Sequence, residues 1–506
     1  MAQKTDERRL ATILRSGLMD PRSMAVVIFA SMWLVAVVAV QRVYGLGVPS
    51  PHSKTLTLGG FLTGSGRALG ISRLSFDQMA ALYMSLLIVI FVSYIWALIL
   101  LARNGKSLTS AFIIGASVAF CLWVLFIPPL LAKDLFNYAS YGQTIALHGK
   151  NPYLLAPAGF PGAPVLKYIS WKDAVSVYGP LFNYLAGATA LIARDGAVSS
   201  IVAFKLMPFA FFVGSLFVAD SLARRMHLER RAFLLAAVAW NPLVIIHLVG
   251  GGHNDTIMLF FILLGFLLYR QNRPVLAISS AVLAVLVKTT AVFVLVPMLV
   301  LFLRQNSRWT LRKYAQGLVV VVAIPLAFYL PMWPGLAGFR KIISVGTDFN
   351  SVSVPSLVSR NLESALRAIG VRHTLAGTLG INGTRAIFML AFLVVFALCA
   401  YRVRDIQSLI KYSGVILFAF ILSTSWLMPW YAGSVAVIMV LSGSYVLAGT
   451  GIGLTFVMSL YGHGLNTLPS GTFPLALLLM SLAVGAVVLL RRMPARQFGS
   501  PAAAGP

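Results

Sequence analysis

Acidic residues are scarce in this chain of 506. There are 13, against 40 lysines and arginines, which gives a formal net charge of +27. Charged residues of both signs make up only 10% of the sequence, where a soluble domain carries about a quarter. That excludes a water-soluble enzyme and a disordered segment. Cysteine is almost absent: Cys121 and Cys399 are the only two. So few exclude a disulfide-built module. Both fall inside apolar runs, far apart in sequence, and read as small buried hydrophobes rather than a bridge or a metal site. No G-x-x-x-x-G-K-[ST] phosphate loop and no internal repeat is visible.

What the sequence does have is apolar length. Hydrophobic residues make up 59%, and the mean hydropathy is +0.87. Apolar runs recur from residue 24 to residue 490. The fold class expected is an all-α, polytopic integral membrane protein. The lysines and arginines cluster at the ends of apolar runs, as cytoplasmic anchors do. Nucleic acid is therefore not an expected partner; membrane lipids and phosphates are.

A bilayer core takes about 20 apolar residues of helix, and a run count gives about 13 to 15 membrane helices. Met24 to Val40 is the first run. No A-x-A-like cleavage site follows it, so it reads as a retained helix. Arg8, Arg9 and Arg15 before it put the N-terminus in the cytoplasm. A polar loop from Val43 to Asp77 leads to Ala80–Leu101, then to an inside turn at Arg103 and Lys106. Ser110–Leu131 goes out, so Lys133-Asp134 lands at the outer face. Residues 132–179 hold no membrane-length run and read as a first external loop. The run from Leu181 to Ala193 is short. The next, Val198–Leu222, leads to Arg224, Arg225, Arg230 and Arg231, a strong inside signal. Those arginines stay inside only if 181–193 is re-entrant or lies along the interface. Lys288-Thr289-Thr290 interrupts the run Val275–Leu303, whose two ends both lie beside cytoplasmic bases. It therefore reads as two short helices with Lys288 at the apex. Residues 333–385 read as a second external loop, polar and partly helical. Runs at 386–400, 408–422, 433–448, 452–461 and 473–490 complete the bundle, with Arg491, Arg492 and Arg496 inside. The organisation expected is a cytoplasmic tail (1–20), two N-terminal membrane helices (21–107), a catalytic membrane module (108–490) and a second tail (491–506).

Thirteen carboxylates can be taken one by one. Asp220 lies four residues before Arg224 and suits a helix pair. Asp77 suits a cap or first-turn charge. Asp195 adjoins Arg194. Five fall on the proposed outer face: Asp134, Asp173, Asp255, Asp348 and Glu363. A general base for chemistry there must come from this set or from a histidine. Asp134 follows a membrane helix and opens a segment with Tyr138, Tyr141, Asn151 and Tyr153. An acid at a membrane edge followed by aromatics at helical spacing suits a sugar-sized ligand; a helix N-cap is the equal alternative. His253-Asn254-Asp255 follows Gly250-Gly251-Gly252. The glycines would let backbone approach a ligand, their N–H groups would bind an oxyanion, and His253 and Asp255 would orient a hydroxyl or phosphate. A capped interhelical turn is the plainer reading. No metal is expected: His247, His253 and Asp255 match no strong ligand spacing. Lys288, at such depth, would neutralise a lipid-linked phosphate or else snorkel to the interface. Trp426, Trp430 and Tyr431 would stack on sugar or form an aromatic belt.

Taken in order, Asp134, Tyr138, Gly142, Gly149, Asn151-Pro152-Tyr153 and Tyr178-Gly179-Pro180 resemble the GT-C superfamily of polytopic glycosyltransferases that use polyprenyl-phosphate sugars. Further motifs are Asn241-Pro242, Gly251-Gly252-His253-Asn254-Asp255, Lys288-Thr289-Thr290 before Pro297, and Ser425-Trp426 with Pro429-Trp430-Tyr431. With these the chain is similar, over residues 108–490, to the actinobacterial polyprenol-phosphate-mannose-dependent α-1,6-mannosyltransferases of lipomannan and lipoarabinomannan assembly. The helices in 21–107 are additional to the minimal superfamily plan.

The resemblance implies a GT-C-type helical bundle in the plasma membrane with its active site on the extracytoplasmic face. It implies a polyprenyl-phosphate-mannose donor, a mannan or lipomannan acceptor and no separate cofactor. Asp134 would be the general base of an inverting transfer. Lys288, Gly251, Gly252, Arg340 and Arg360 would hold the donor phosphate. Tyr138, Tyr141, Asn151, Tyr153, Tyr178, Trp426, Trp430 and Tyr431 would line the sugar sites. The rival readings are a transporter or flippase for a lipid-linked saccharide, and an enzyme of this superfamily for another sugar such as arabinofuranose. Acids gathered at one face beside sizeable loops, without a repeat, favour interfacial chemistry over transport.

Overall fold

The computed structural model describes residues 20–41, 57–103, 108–125, 127, 129, 132–305, 311–336 and 353–460. Every regular element among them is helical. The order is α1 (Pro21–Gln41), α2 (Thr57–Ala68), α3 (Phe76–Arg103), α4 (Ser110–Leu125), α5 (Asp134–Ala146), α6 (Pro180–Ala193), α7 (Ala197–Arg225), α8 (Arg231–Ala239), α9 (Asp255–Arg270), α10 (Pro274–Val287), α11 (Val292–Arg304), α12 (Leu311–Tyr329), α13 (Val354–Ala368), α14 (His373–Arg402), α15 (Ile406–Ser423), α16 (Tyr431–Leu441) and α17 (Tyr445–Leu460). The run expected at 473–490, the arginines after it, Asp348 and Arg340 lie outside the described residues.

Six of these helices are long and apolar enough to cross a membrane: α1, α3, α7, α12 with its short continuation to Met332, α14 and α15. Leu318, Ile387 and Met389 are more than half exposed. Apolar faces of that kind are what lipid covers, and the chain is an all-α polytopic membrane protein.

One stretch expected to be a loop contains helix, and the stretch expected to be partly helical is more helical than its polarity suggests. Residues 43–77 carry α2, which packs on α1 and buries Leu62. In 333–385, α13 forms and α14 begins at His373 rather than at 386. Residues 373–385 are too polar to signal a span, but Gly380 lets α14 close on the backbone of Ser359 and on Glu363 in α13. Packing, not hydropathy, sustains those extra turns. The expected ion pair on α7 forms: Asp220 meets Arg224 at 2.7 Å, and Arg231 joins it at 3.1 Å. Asp77 sits in the first turn of α3.

Helices α5 and α6 run side by side in the same direction. Tyr138 meets Phe182 near their starts, with ring centroids 4.9 Å apart, and Gln143 Nε2 donates to Arg194 O at their far ends. The start of α6 is pinned to α10, with Gly179 N donating to Val287 O at 3.2 Å. Its later part touches the first half of α7, where Thr189 Oγ1 lies 3.3 Å from Met207 Sδ. So α6 stays at one end of α7 and does not reach the arginine end.

Three interrupted helices give the bundle its functional geometry. The first is the stretch between α4 and α5, which contains Pro128 and Pro129. Proline has no N–H and breaks the ladder. The second is Asn241-Pro242 after α8. The carbonyls of Ala237 and Ala239 there accept from Tyr94 Oη (2.7 Å) and Ser117 Oγ (2.6 Å) on α3 and α4, as backbone in lipid must find partners inside the protein. Asn241 Oδ1 then accepts from the N–H groups of Leu243 (3.1 Å) and Val244 (3.3 Å). It thereby starts a π-helical turn, Val244–Val249. Such turns recur at functional sites. The third is Lys288, in extended backbone between α10 and α11.

Candidate active site

The three breaks converge. The first delivers Asp134 at the start of α5, the second delivers His253 and Asp255 at the start of α9, and the third delivers Lys288. Lys288 Nζ donates to both carboxylate oxygens of Asp255, at 2.9 and 2.7 Å. Asp255 is 3% exposed and Lys288 14%. The lysine is therefore not a snorkelling group: its ammonium turns inward to a carboxylate. It also lies 4.4 Å above the ring of Tyr431, at the start of α16, a cation–π support.

Asp134 stands beside this pair but outside it. Its Oδ2 is 3.9 Å from His253 Nδ1, beyond hydrogen-bond reach. A fifth of its side chain remains accessible. It is the first residue of α5 and makes no capping hydrogen bond, the cap position being Lys133; the N-cap alternative does not describe it. Burial pushes the Asp134 carboxyl up to about 6; the Lys288 ammonium opposes the rise and the Asp255 carboxylate adds to it. Such a carboxylate is ionised at neutral pH yet more basic than usual. Burial first, then Lys288 and His247, hold the His253 imidazole well below its ordinary value, so it is neutral. His253 lies flat on Trp430, with ring centroids 3.9 Å apart and planes 16° apart. Its Nδ1 has no hydrogen-bond partner, and neither amide atom of buried Asn254 has one.

The glycine turn does something other than expected. The N–H groups of Gly250, Gly251 and Gly252 donate to Ile245, His247 and Val249 at 2.9, 2.9 and 3.1 Å. Those donors are engaged by the turn itself, so in this geometry Gly251 and Gly252 offer no free N–H to a phosphate. Gly252 has a left-handed φ of 72°, and a Cβ there would meet Leu135 Cδ1 at 2.8 Å and Phe204 O at 3.0 Å. The turn needs glycine to close against α5 and α7.

The aromatic and amide candidates divide into groups. Tyr138 and Tyr178 pack edge-on, with centroids 5.0 Å apart, next to Asp134, whose charge acts on both hydroxyls. Trp430 and Tyr431 reach the site as supports of His253 and Lys288. The Asp134 charge reaches the Tyr141 hydroxyl too, but the polar atoms of Tyr141, Asn151 and Tyr153 are engaged by backbone. Tyr141 Oη donates to Ala174 O (3.0 Å), Tyr153 Oη to Tyr178 O (2.7 Å) and Asn151 Nδ2 to Met332 O (2.9 Å). They fold residues 147–179 back over α5, which fixes Tyr178. Trp426 pairs with half-exposed Trp171 at 5.7 Å. Arg360 lies on α13 with Nε donating to Ser356 O at 3.3 Å. Three contributors escaped the sequence reading: Trp171, Asn137, which donates to Trp171 O at 3.2 Å, and Lys205, buried within α7. Only Lys205 left a signal, as a lone charge in an apolar run. Among the described residues no group of three or more His, Cys, Asp or Glu is placed to hold a metal.

The arrangement can accept a proton at Asp134 while a fixed ammonium stands close by. Comparison with known proteins places the chain in a family. Residues 23–305 match the family described as Alpha-(1->6)-mannopyranosyltransferase, N-terminal domain. Over 174 residues the chain is 28% identical to alpha-(1->6)-mannopyranosyltransferase A of Corynebacterium glutamicum, covering 34% of this chain and 35% of that one. It is 26% identical over 216 residues to alpha-(1->6)-mannopyranosyltransferase A of Mycobacterium tuberculosis, covering 42% of this chain and 41% of that one. A protein of Mycolicibacterium smegmatis named probable alpha-(1->6)-mannopyranosyltransferase is 24% identical over 431 residues, covering 76% of each chain. The match thus spans about a third of the first relative's length and about three quarters of the last. Its family segment takes in more than half of this sequence and all three converging breaks, and on that ground the chain belongs to the alpha-(1->6)-mannopyranosyltransferase family.

Proposed function

We propose that this protein transfers mannose from polyprenyl-phosphate-mannose to a mannan or lipomannan acceptor, forming an α-1,6 linkage at the extracytoplasmic face of the plasma membrane. The observation that carries the reading is the unequal treatment of two neighbouring carboxylates. Asp255 is tied at two points to Lys288. Asp134 has no such partner, is partly accessible and is raised to about 6. One acid is committed to holding a cation, and the other is free to take a proton.

In this mechanism Asp134 removes the proton of the acceptor's primary hydroxyl as that oxygen attacks the anomeric carbon of the donor. The carbon–phosphate-oxygen bond breaks on the opposite side and the configuration inverts, so an α product requires a β-linked donor. The departing lipid phosphate needs a cation rather than a proton. Lys288 supplies it, with Asp255 and the Tyr431 ring holding its ammonium in place. Arg340 and Arg360 remain further candidates for the phosphate. Trp171 and Trp426 offer a partly exposed aromatic pair for sugar. The lipid-linked sugar is a substrate, and no separate cofactor takes part. Residues 108–490 form the catalytic module, with the helices of 21–107 added to it.

Sidedness has support from α7. From Phe204, whose carbonyl meets the glycine turn, to Arg225 is 21 residues of helix, about 30 Å at 1.5 Å per residue. That is the thickness of a bilayer core, and an arginine cluster marks the cytoplasmic side. The test is transfer by the purified protein from polyprenyl-phosphate-mannose to short α-1,6-mannosides, with linkage analysis of the product. Absence of transfer, or of an α-1,6 bond, overturns the reading.

A further inference from the structure

Lys205 is fully buried in the apolar body of α7. Its Nζ donates to two backbone carbonyls, Val124 O at 2.9 Å and Ile127 O at 2.6 Å. The sequence explains why the first of these carbonyls wants a donor. In a continuous helix Val124 O would accept from the N–H of residue 128, and Leu125 O from residue 129. Both are prolines, which have no N–H. The end of α4 therefore carries a carbonyl, Val124 O, that its own backbone cannot satisfy, among fully buried residues where water does not satisfy it either. An ionisable group inside a span is costly and is rarely kept without a use.

The use lies seven residues on. Ile127 stands seven positions before Asp134 in the sequence. The residue beside Lys205, Phe204, presents its carbonyl to Gly252, and the other wall of that contact is Leu135. One turn of α7 thus touches the strand of chain that delivers Asp134 and the turn that delivers His253. We propose that Lys205 is a positioning residue: its ammonium replaces the backbone donor missing at Pro128, holds Ile127 O as well, and so fixes where Asp134 stands in the active site. The inference rests on Asp134 being the base. Lys205 touches no reacting atom; it acts through the chain it holds.

The experiment compares purified full-length wild type, Lys205→Met and Lys205→Gln in the mannosyl-transfer assay across the acid limb of the pH profile. Methionine fills the space without donating; glutamine returns an N–H donor without the charge. A misplaced base costs rate more than binding. Lys205→Met is expected to lower kcat about tenfold or more while donor KM stays within about twofold, with the acid limb displaced. Lys205→Gln is expected to recover most of kcat and to restore the limb. A wild-type kcat in Lys205→Met, or a glutamine variant no better than methionine, overturns the proposal. If Lys205→Met does not fold, Lys205→Ala, which likewise lacks a donor, takes its place and its Tm is measured alongside. A displaced acid limb supports positioning, and an unmoved limb with only a lowered Tm overturns it. Full activity of Asp134→Asn would sink the base assignment itself; an inactive Asp134→Asn beside a normal Lys205→Met sinks this inference alone.

Discussion

His253 Nδ1 stands 3.9 Å from Asp134 Oδ2, in an imidazole laid flat on Trp430. The ring beside the carboxylate is therefore neutral and beyond hydrogen-bond distance, and burial outweighs the opposing charge of Lys288. Asp134 keeps its raised basicity.

Asp134→Asn removes the proton acceptor at nearly constant shape. The expected loss in kcat is about 10²- to 10⁴-fold, with donor KM and Tm close to wild type. Steady-state kinetics and thermal unfolding of the same preparation check it.

The pH profile follows from the raised carboxyl. As pH falls through about 6, Asp134 takes up a proton and kcat/KM falls with it. Stability moves the other way. A carboxyl whose pKa is raised in the fold binds its proton more readily there than when unfolded. Its contribution therefore becomes more favourable as pH drops from about 6 towards its ordinary 3.8. Activity and Tm measured over the same range should diverge; parallel decline would point to acid unfolding instead.

Lys288→Met strands a buried carboxylate. Breaking such a pair from one side costs about 3–5 kcal/mol, so Tm should drop. Lys288→Met with Asp255→Asn should regain much of it. Donor KM should stay raised in both, because the phosphate's cation is missing. A double variant with wild-type donor KM would remove Lys288 from phosphate binding.

Gly179→Ala tests the close approach of α6 to α10. An added Cβ would lie 2.1 Å from Leu286 O, against rigid backbone. Relieving that overlap costs about 1–3 kcal/mol and moves the start of α6 away from Val287, next to Lys288. Lower Tm and weaker donor binding are expected together.

Sidedness can be read from one engineered thiol. Cys121 and Cys399 are buried, so background labelling is low. Trp171→Cys, at a half-exposed position, should react with a membrane-impermeant maleimide in intact cells. Labelling only after permeabilisation would put the site on the cytoplasmic side.

Much of the fold could be read from composition alone. Apolar runs with few charges leave a chain no choice but helix in lipid, because only helices or closed barrels satisfy the backbone there. The break at Lys288 was legible for the same reason: a cation and two threonines interrupt an apolar run. Helix α2 and the first turns of α14 were not legible. Their residues are polar or small, and what keeps them helical is a neighbour far along the chain, such as Ser359 beneath Gly380.

For the site, the sequence determined which groups were available: few acids, a histidine turn and one lysine at an apex. Only the tertiary structure decided how they share the work. Asp255 and Lys288 are 33 positions apart, and Asp134 and His253 still farther. Pairing between such positions depends on how separate helices pack, which no local pattern encodes. The glycine amides looked free in one dimension and are used by their own turn in three. Lys205 shows the same limit. Its place in the sequence gave only a charge where charge is costly; the carbonyls it serves belong to the end of another helix and the break after it.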